Sequence, residues 1–257
     1  MWLKQNYCLM LFCIVSLLLC KPLLAADQPS GKNLVIGVED ISYYPYFDYN
    51  EANASLSKTI LDQFAADHGY TITYLALPIK QFSKWLYIND IDFKYPDNPR
   101  WHSANNNEHN AQYYSDDMFH LTAGTVVLLA NKQKPKAFFK NLGMITGFDP
   151  TLWRADIASQ RISLLDDTSP KVLMKHLVNG LIDGVDIDIA VAQHYLASLD
   201  LDTPLAYSDA LPQEIFAHQL STIRYPEIII QFNQWLRQNV SFIDAAKVKF
   251  KIPDPVP

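Results

Sequence analysis

The chain has 257 residues, of which 49% are hydrophobic and 19% charged, a balance that excludes a disordered or fibrous protein. Its formal net charge of −6 excludes a partner such as nucleic acid, whose phosphates need a basic face. The length accommodates one large domain or two lobes of roughly 100 residues each.

The first 26 residues read as a cleaved export signal. Lys4 supplies a positive start, and Tyr7 to Cys20 is an almost unbroken apolar run, too short to span a bilayer comfortably. Leu24-Ala25-Ala26 then offers small residues for cleavage after Ala25 or Ala26. The alternatives are an uncleaved anchor or, through Cys20, a lipid anchor; Leu19 before that cysteine is too large for the second. All three cysteines, Cys8, Cys13 and Cys20, lie in this leader, so the remaining chain carries no disulfide framework and no thiolate metal site. Loss of Lys4 and Lys21 takes the charge from −6 to −8. A periplasmic location is expected.

Beyond the leader, Leu34 to Val38 is a short apolar run of buried-strand type. Leu56, Ile60, Leu61, Phe64 and Ala65 repeat with helical spacing, and Gly69 stands where a C-terminal cap belongs. Tyr70 to Leu77 alternates and is rich in β-branched and aromatic residues, which predicts a second strand. Pro78 opens an expected helix to about Ile88, and Ile91 to Lys94 is an expected third strand. This β-α-β-α-β order is the signature of α/β architecture. Tyr95 to Gln112, rich in proline and asparagine without periodicity, is expected to form a long surface loop.

A strand is expected again at Leu121 to Asn131, after which the alternation restarts. Asp149-Pro150 is expected to open a helix, Arg161 to Leu165 to form a strand, and Ser169-Pro170 to open a helix ending at Gly180. Asp183 to Ile187 is strand-like and leads into a helix through Ala190, Val191, His194 and Tyr195. From Tyr207 the pattern loosens, and two helices follow, one from Tyr225 to Asn239 and one from Ser241.

A ligand cleft needs aromatic faces and a few polar groups that fix the ligand's ends. Tyr43, Tyr44, Tyr46, Phe47 and Tyr49 crowd the loop after the first strand, where open α/β sheets bind ligands. They serve equally as lobe packing. Arg100 and Trp101 offer an anion clamp and a stacking plane, or a solvated cation beside a loop anchor. Phe148 and Asp149 lead into an expected helix start, a position suited to an anion. Asp188 shares one side of its strand with Asp186, and either meets a ligand cation or caps the next helix. The seven histidines show no metal-ligand spacing, and no phosphate, dinucleotide or hydrolase fingerprint occurs. No metal and no cofactor is expected.

Several segments resemble the family-3 bacterial solute-binding proteins, the periplasmic amino-acid-binding type with a type II two-lobed fold. Val38-Glu39-Asp40-Ile41-Ser42-Tyr43-Tyr44-Pro45-Tyr46 is similar to that family's first-strand loop, and Tyr114-Ser115-Asp116-Asp117 to the segment before its lobe crossover. Leu142 to Gly147 resembles its ligand loop, and Asn179-Gly180-Leu181-Ile182-Asp183 through Asp188 its Asn-Gly-x-x-Asp-Ala-x-x-x-Asp pattern.

The resemblance implies an α/β protein of two lobes, each a mostly parallel sheet flanked by helices, with two hinge crossings. Residues 27–122 with 207–257 would form one lobe and 123–206 the other. It implies ligand contacts at Asp40, Tyr43, Tyr46 and Asp188, the last on the ligand's ammonium, and the residue chemistry adds Arg100, Trp101 and Phe148 as expected contacts. The family's Thr-Pro-x-Arg is absent; Tyr95-Pro96-Asp97-Asn98-Pro99-Arg100 stands several residues early. The expected function is that of a monomer binding a small polar solute, an amino acid or related compound, for an ABC-type membrane permease. The alternatives are a ligand sensor for a membrane receptor and a dehydratase-like enzyme.

Overall fold

A computed structural model describes residues 31–49, 54–88, 90–101 and 112–255. The expected leader lies outside the described residues. Strand β1 (Asn33–Glu39) is followed by helix α1 (Leu56–Asp67), strand β2 (Thr71–Leu77), a 3-10 segment (Ile79–Lys84), the single helical turn α2 (Trp85–Ile88) and strand β3 (Phe93–Asp97). Then come β4 (Tyr113–Tyr114), β5 (Phe119–Leu128), β6 (Asn141–Ile145), α3 (Arg154–Ala158), β7 (Ser163–Asp167), α4 (Pro170–Val178), β8 (Gly184–Asp186) and α5 (Ile189–Ala197). The chain closes with β9 (Leu205–Tyr207), β10 (Gln213–Thr222), α6 (Pro226–Gln238) and α7 (Val240–Lys249).

The strands form one curled sheet in the order β2-β1-β3-β10-β5-β8-β6-β7, with β4 beside β10 and β9 beside β5. The first lobe is built on the parallel set β2-β1-β3 and the second on the parallel set β8-β6-β7. The two crossings between lobes are themselves strands. β5 and β10, each ten residues long, pair antiparallel from Gln213↔Gly124 to His218↔Phe119. Beyond that stretch β5 turns its edges to β8 and β9, and β10 to β3 and β4. The ladder therefore runs through both lobes without a break.

The helices hold as their apolar stripes dictate. In α6, Ile228, Ile229, Phe232, Trp235 and Leu236 are buried at helical spacing, Pro226 stands in the first turn with Glu227, and Arg237 in the last. The Trp235 indole donates to Asp67 at 2.7 Å, tying α6 to the end of α1. Gly69, at φ +69°, takes the left-handed turn that stops α1. A continuous core runs from Leu34, Ile36 and Phe64 through Phe119 to Leu173 and Val191. Smaller clusters form around Trp85 in the first lobe and around Trp153 in the second.

Four expectations differ from the structure. The helix expected from Pro78 is a 3-10 segment, because Ile79, Phe82 and Trp85 recur every third residue and line up only at three residues per turn, leaving Lys80, Gln81, Ser83 and Lys84 exposed. The third strand starts at Phe93 and runs on through Tyr95 and Asp97, both 0% exposed, where a surface loop was expected. Pro96 is tolerated there because β10 is bulged opposite it, between Gln219 and Ser221. Asp149-Pro150 starts a turn; the helix begins at Arg154, and Asp149 forms an ion pair with that arginine instead of capping. Finally, the stretch after Tyr207 contains the central strand β10.

Candidate ligand cleft

A cleft of about 340 Å³ opens between the lobes at the carboxyl ends of β1 and β3, beside the β5–β10 crossing. This is where the strand order switches, the position at which open α/β sheets take ligands. The first lobe contributes Glu39 at the end of β1, Tyr43 and Phe47 from the next loop, Phe82 from the 3-10 segment, and Arg100 and Trp101 after β3. The crossing strands contribute Thr122, Glu214, Phe216 and His218, and the second lobe contributes Met144, Phe148, Asp186 and Asp188.

Aromatic rings form two walls. Tyr43 stacks on Phe47 with centroids 5.4 Å apart and meets Phe148 of the second lobe at 5.6 Å. Trp101 stands edge-on to Phe82, Phe216 and His218, each at 6.0 Å. Pairs of this kind prefer tilted or offset geometry, and here they give the cleft an apolar lining.

Polar contacts also cross between the lobes. The Asp188 N–H donates to the Tyr43 hydroxyl at 3.0 Å. The Tyr195 hydroxyl of α5 donates to the Ser42 carbonyl at 3.0 Å, and the Ser42 hydroxyl donates to Asp48. The Tyr44 and His194 rings lie 4.3 Å apart. A Cβ added at Gly147, φ +94°, would come within 3.0 Å of Ile79, so a glycine is what lets the loop after β6 approach the first lobe. These contacts join the two lobes beside the cleft.

Asp188 is 3% exposed and caps α5, accepting from Ala190 N at 2.8 Å; it also accepts from Thr122 N at 3.2 Å and from the Tyr46 and Tyr207 hydroxyls. Burial nonetheless raises its carboxyl to about 6, the four donors opposing that rise. Burial likewise raises Asp186 to about 7, with Glu214 adding, and Glu39 to about 8, with Asp97 adding and Lys94 opposing. Lys94 and Asp97, both buried, pair at 2.9 Å behind the Glu39 wall, and Asp97 also accepts from Ser221 and Gln112. Burial lowers His218 to about 3, so its ring is neutral and takes part as an aromatic wall hydrogen-bonded to Tyr95 at 3.2 Å.

Of the residues expected at the site, Tyr43, Arg100, Trp101, Phe148 and Asp188 line the cleft. Asp40 does not: β1 ends at Glu39, and Asp40 lies exposed in the following turn with its N–H on the Leu77 carbonyl. Tyr46 does not either, being buried behind Tyr43 with its hydroxyl on Asp188. The cleft also holds Glu39, Asp186, Glu214, Phe216 and His218, which lie inside strands or at their ends, where sequence alternation does not reveal the cleft side. Among the described residues no group of three or more His, Cys, Asp or Glu could hold a metal ion, and no helix is long and apolar enough to cross a membrane.

No family model and no curated protein matches the chain. Solved structures do match its fold. An arginine transport-system periplasmic binding protein from Legionella pneumophila superposes with TM-score 0.65 over 86% of this chain and 100% of its own, at 11% identity. An ancestral arginine-binding protein bound to arginine gives 0.67 over 86% and 99%, at 15% identity. An ancestral amino-acid-binding protein described as a precursor of cyclohexadienyl dehydratase gives 0.63 over 85% and 95%, at 17% identity. The fold is that of the two-lobed periplasmic binding proteins.

Proposed function

We propose that this chain is a periplasmic solute-binding protein that closes two lobes, residues 27–122 with 207–257 and residues 123–206, around a small polar ligand and delivers it as a monomer to an ABC-type permease. The observation that carries this reading is the cleft itself: about 340 Å³, walled by Tyr43, Phe148 and Trp101, and flanked by ionisable groups from both lobes. Two strand crossings permit a hinge, and ligand contacts to both lobes drive closure about it. The fold neighbours point the same way, since they include an arginine-binding protein with its ligand and amino-acid ABC transporter substrate-binding proteins.

Tyr43, Trp101 and Phe148 sandwich the ligand body in this reading, Arg100 stands at its mouth, and Asp188 fixes the second-lobe wall. A thermal-shift screen of amino acids, amines, organic acids and sugars tests it, because a ligand at 100-fold excess over Kd adds about 2.7 kcal/mol. X-ray scattering with the hit should show a more compact particle. If no solute of any class raises the melting temperature, the reading fails.

A second reading, an enzyme on the same fold, draws on Glu39, a buried carboxyl held near 8 that can act as a general acid at neutral pH. Product formation from prephenate or arogenate tests it. Sensing through a membrane receptor uses the same closure, and capture of the liganded protein by a receptor ectodomain rather than a permease distinguishes it from transport.

A further inference from the structure

Among the described residues, two acidic side chains stand out, one on each wall of the cleft. Glu39 is 4% exposed, lines the cleft from the first lobe, and its Oε2 has no hydrogen-bond partner among the described residues. Asp186 lines the cleft from the second lobe, half-buried, and among the described residues its environment is only burial and the like charge of Glu214. A buried acceptor such as the Glu39 Oε2 is costly without a donor, and a ligand N–H removes that cost; Asp186 faces the same space from the other wall beside a like charge.

Of the cations near the cleft, Arg100 and Lys94 are engaged, and Lys80 on the rim is open to solvent. Arg100 forms an ion pair with Glu214, its guanidinium 5.6 Å over the Phe216 ring. Lys94 is buried on Asp97, and Lys80 stands on the exposed rim. A ligand carboxylate seeking Arg100 would displace Glu214, whose charge would then face the ligand's own. That juxtaposition is repulsive and disfavours such a ligand. The cleft lining carries the carboxyls of Glu39, Asp149, Asp186, Asp188 and Glu214 against only Lys80 and Arg100.

From these contacts we infer that the ligand is an organic cation, an amine or guanidine without a carboxylate group, whose N–H head donates to Glu39 and Asp186 across the cleft while its apolar body lies between the aromatic walls. This rests on the solute-binding reading and narrows its ligand class. Burial shifts Glu39 and Asp186 towards their neutral forms in the ligand-free cleft, and a cation set against them favours the charged form.

Calorimetry on the full chain with matched pairs that differ by one carboxylate tests the inference: agmatine against arginine, 1,5-diaminopentane against lysine, and 2-phenylethylamine against phenylalanine. At least one amine should bind, and every amine that binds should do so at least tenfold more tightly than its carboxylated partner. Glu39→Gln should weaken that amine at least tenfold. Should it fail to fold, Asp186→Asn carries the same test on the opposite wall. Glu214→Gln frees Arg100 and should narrow the preference for the amine. An amino acid that binds as tightly as its amine overturns the inference and leaves solute binding standing. So does a neutral or anionic solute that raises the melting temperature while no amine binds. A flat response to every solute overturns both readings.

Discussion

The Tyr43 hydroxyl and the Asp188 N–H, 145 residues apart in sequence, meet at 3.0 Å and join the loop after β1 to the start of α5. This bond exists only while the lobes are together, so it contributes to closure and not to the stability of either lobe. Tyr43→Phe keeps the ring on Phe47 and Phe148 and removes the acceptor. A hydrogen bond of this kind contributes about 0.5–1.5 kcal/mol, so the mutant should bind its ligand about 2- to 10-fold more weakly with an unchanged melting temperature in the ligand-free state. Calorimetry paired with a melting curve checks both halves.

Stability should depend on pH in a sense opposite to that of most carboxylate-rich proteins. Burial raises Glu39 to about 8 and Asp186 to about 7, so the folded chain retains protons that the unfolded chain, with carboxyls near 4, has given up. Stability therefore falls as pH rises from about 5 to 8, by at most about 1.4 kcal/mol per pH unit for each group. His218, lowered to about 3, and His194, also lowered, act in reverse: below 6.5 the unfolded chain gains protons that the folded chain refuses. Between pH 8 and 6.5 the carboxyls act alone. The melting temperature of the ligand-free protein should rise across that interval on acidification, and Glu39→Gln should flatten most of the rise.

Lys94 and Asp97 are 1% and 0% exposed and compensate each other's charge. Asp97→Ala leaves the ammonium buried beside Glu39 and should cost about 3–5 kcal/mol in urea denaturation. The double change Lys94→Met with Asp97→Leu removes both charges and should recover most of that loss. A double variant no more stable than the single one would show that Ser221 and Gln112, and not the ion pair, account for the effect.

Phe232 provides a control away from the cleft. It is 0% exposed in α6 and meets Phe64 of α1 at 4.9 Å. Phe232→Ala should destabilise by about 3–5 kcal/mol through the cavity it leaves. Ligand affinity of the remaining folded protein should be unchanged, and calorimetry at low temperature reads it directly.

The helices and edge-to-centre parallel strands were legible because their apolar residues repeat at a single period. β1, α1, α4 and α6 follow that rule, and Ser169 caps α4 by accepting from Val172 N as its position foretold. β10 was not legible. Its sequence places His218, Ser221 and Thr222 among apolar residues, and all three are buried. They are polar because the strand borders the cleft and faces Asp97 and Tyr95, to which Ser221 and His218 hydrogen-bond. Tyr95-Pro96-Asp97 was mistaken for a loop for the same reason. The loop residues Tyr43, Trp101 and Phe148 stood out as aromatic clusters, whereas Glu39 and Asp186 are single acids at strand ends, marked as cleft residues only by burial.

β10 lies between β3 and β5, yet it is made after the entire second lobe. As the chain emerges from the ribosome, β3 carries an open edge until Gln219 and Ser221 of β10 arrive, and α6, which packs on α1, follows still later. The first lobe therefore starts assembly before its sister and finishes after it, with long-range strand pairing as the last step. Such an order is slow and leaves a bare strand edge in the interim. In the periplasmic role proposed above this delay would be an advantage, because a protein that completes its first lobe only at the end of synthesis stays unfolded long enough to be threaded across a membrane.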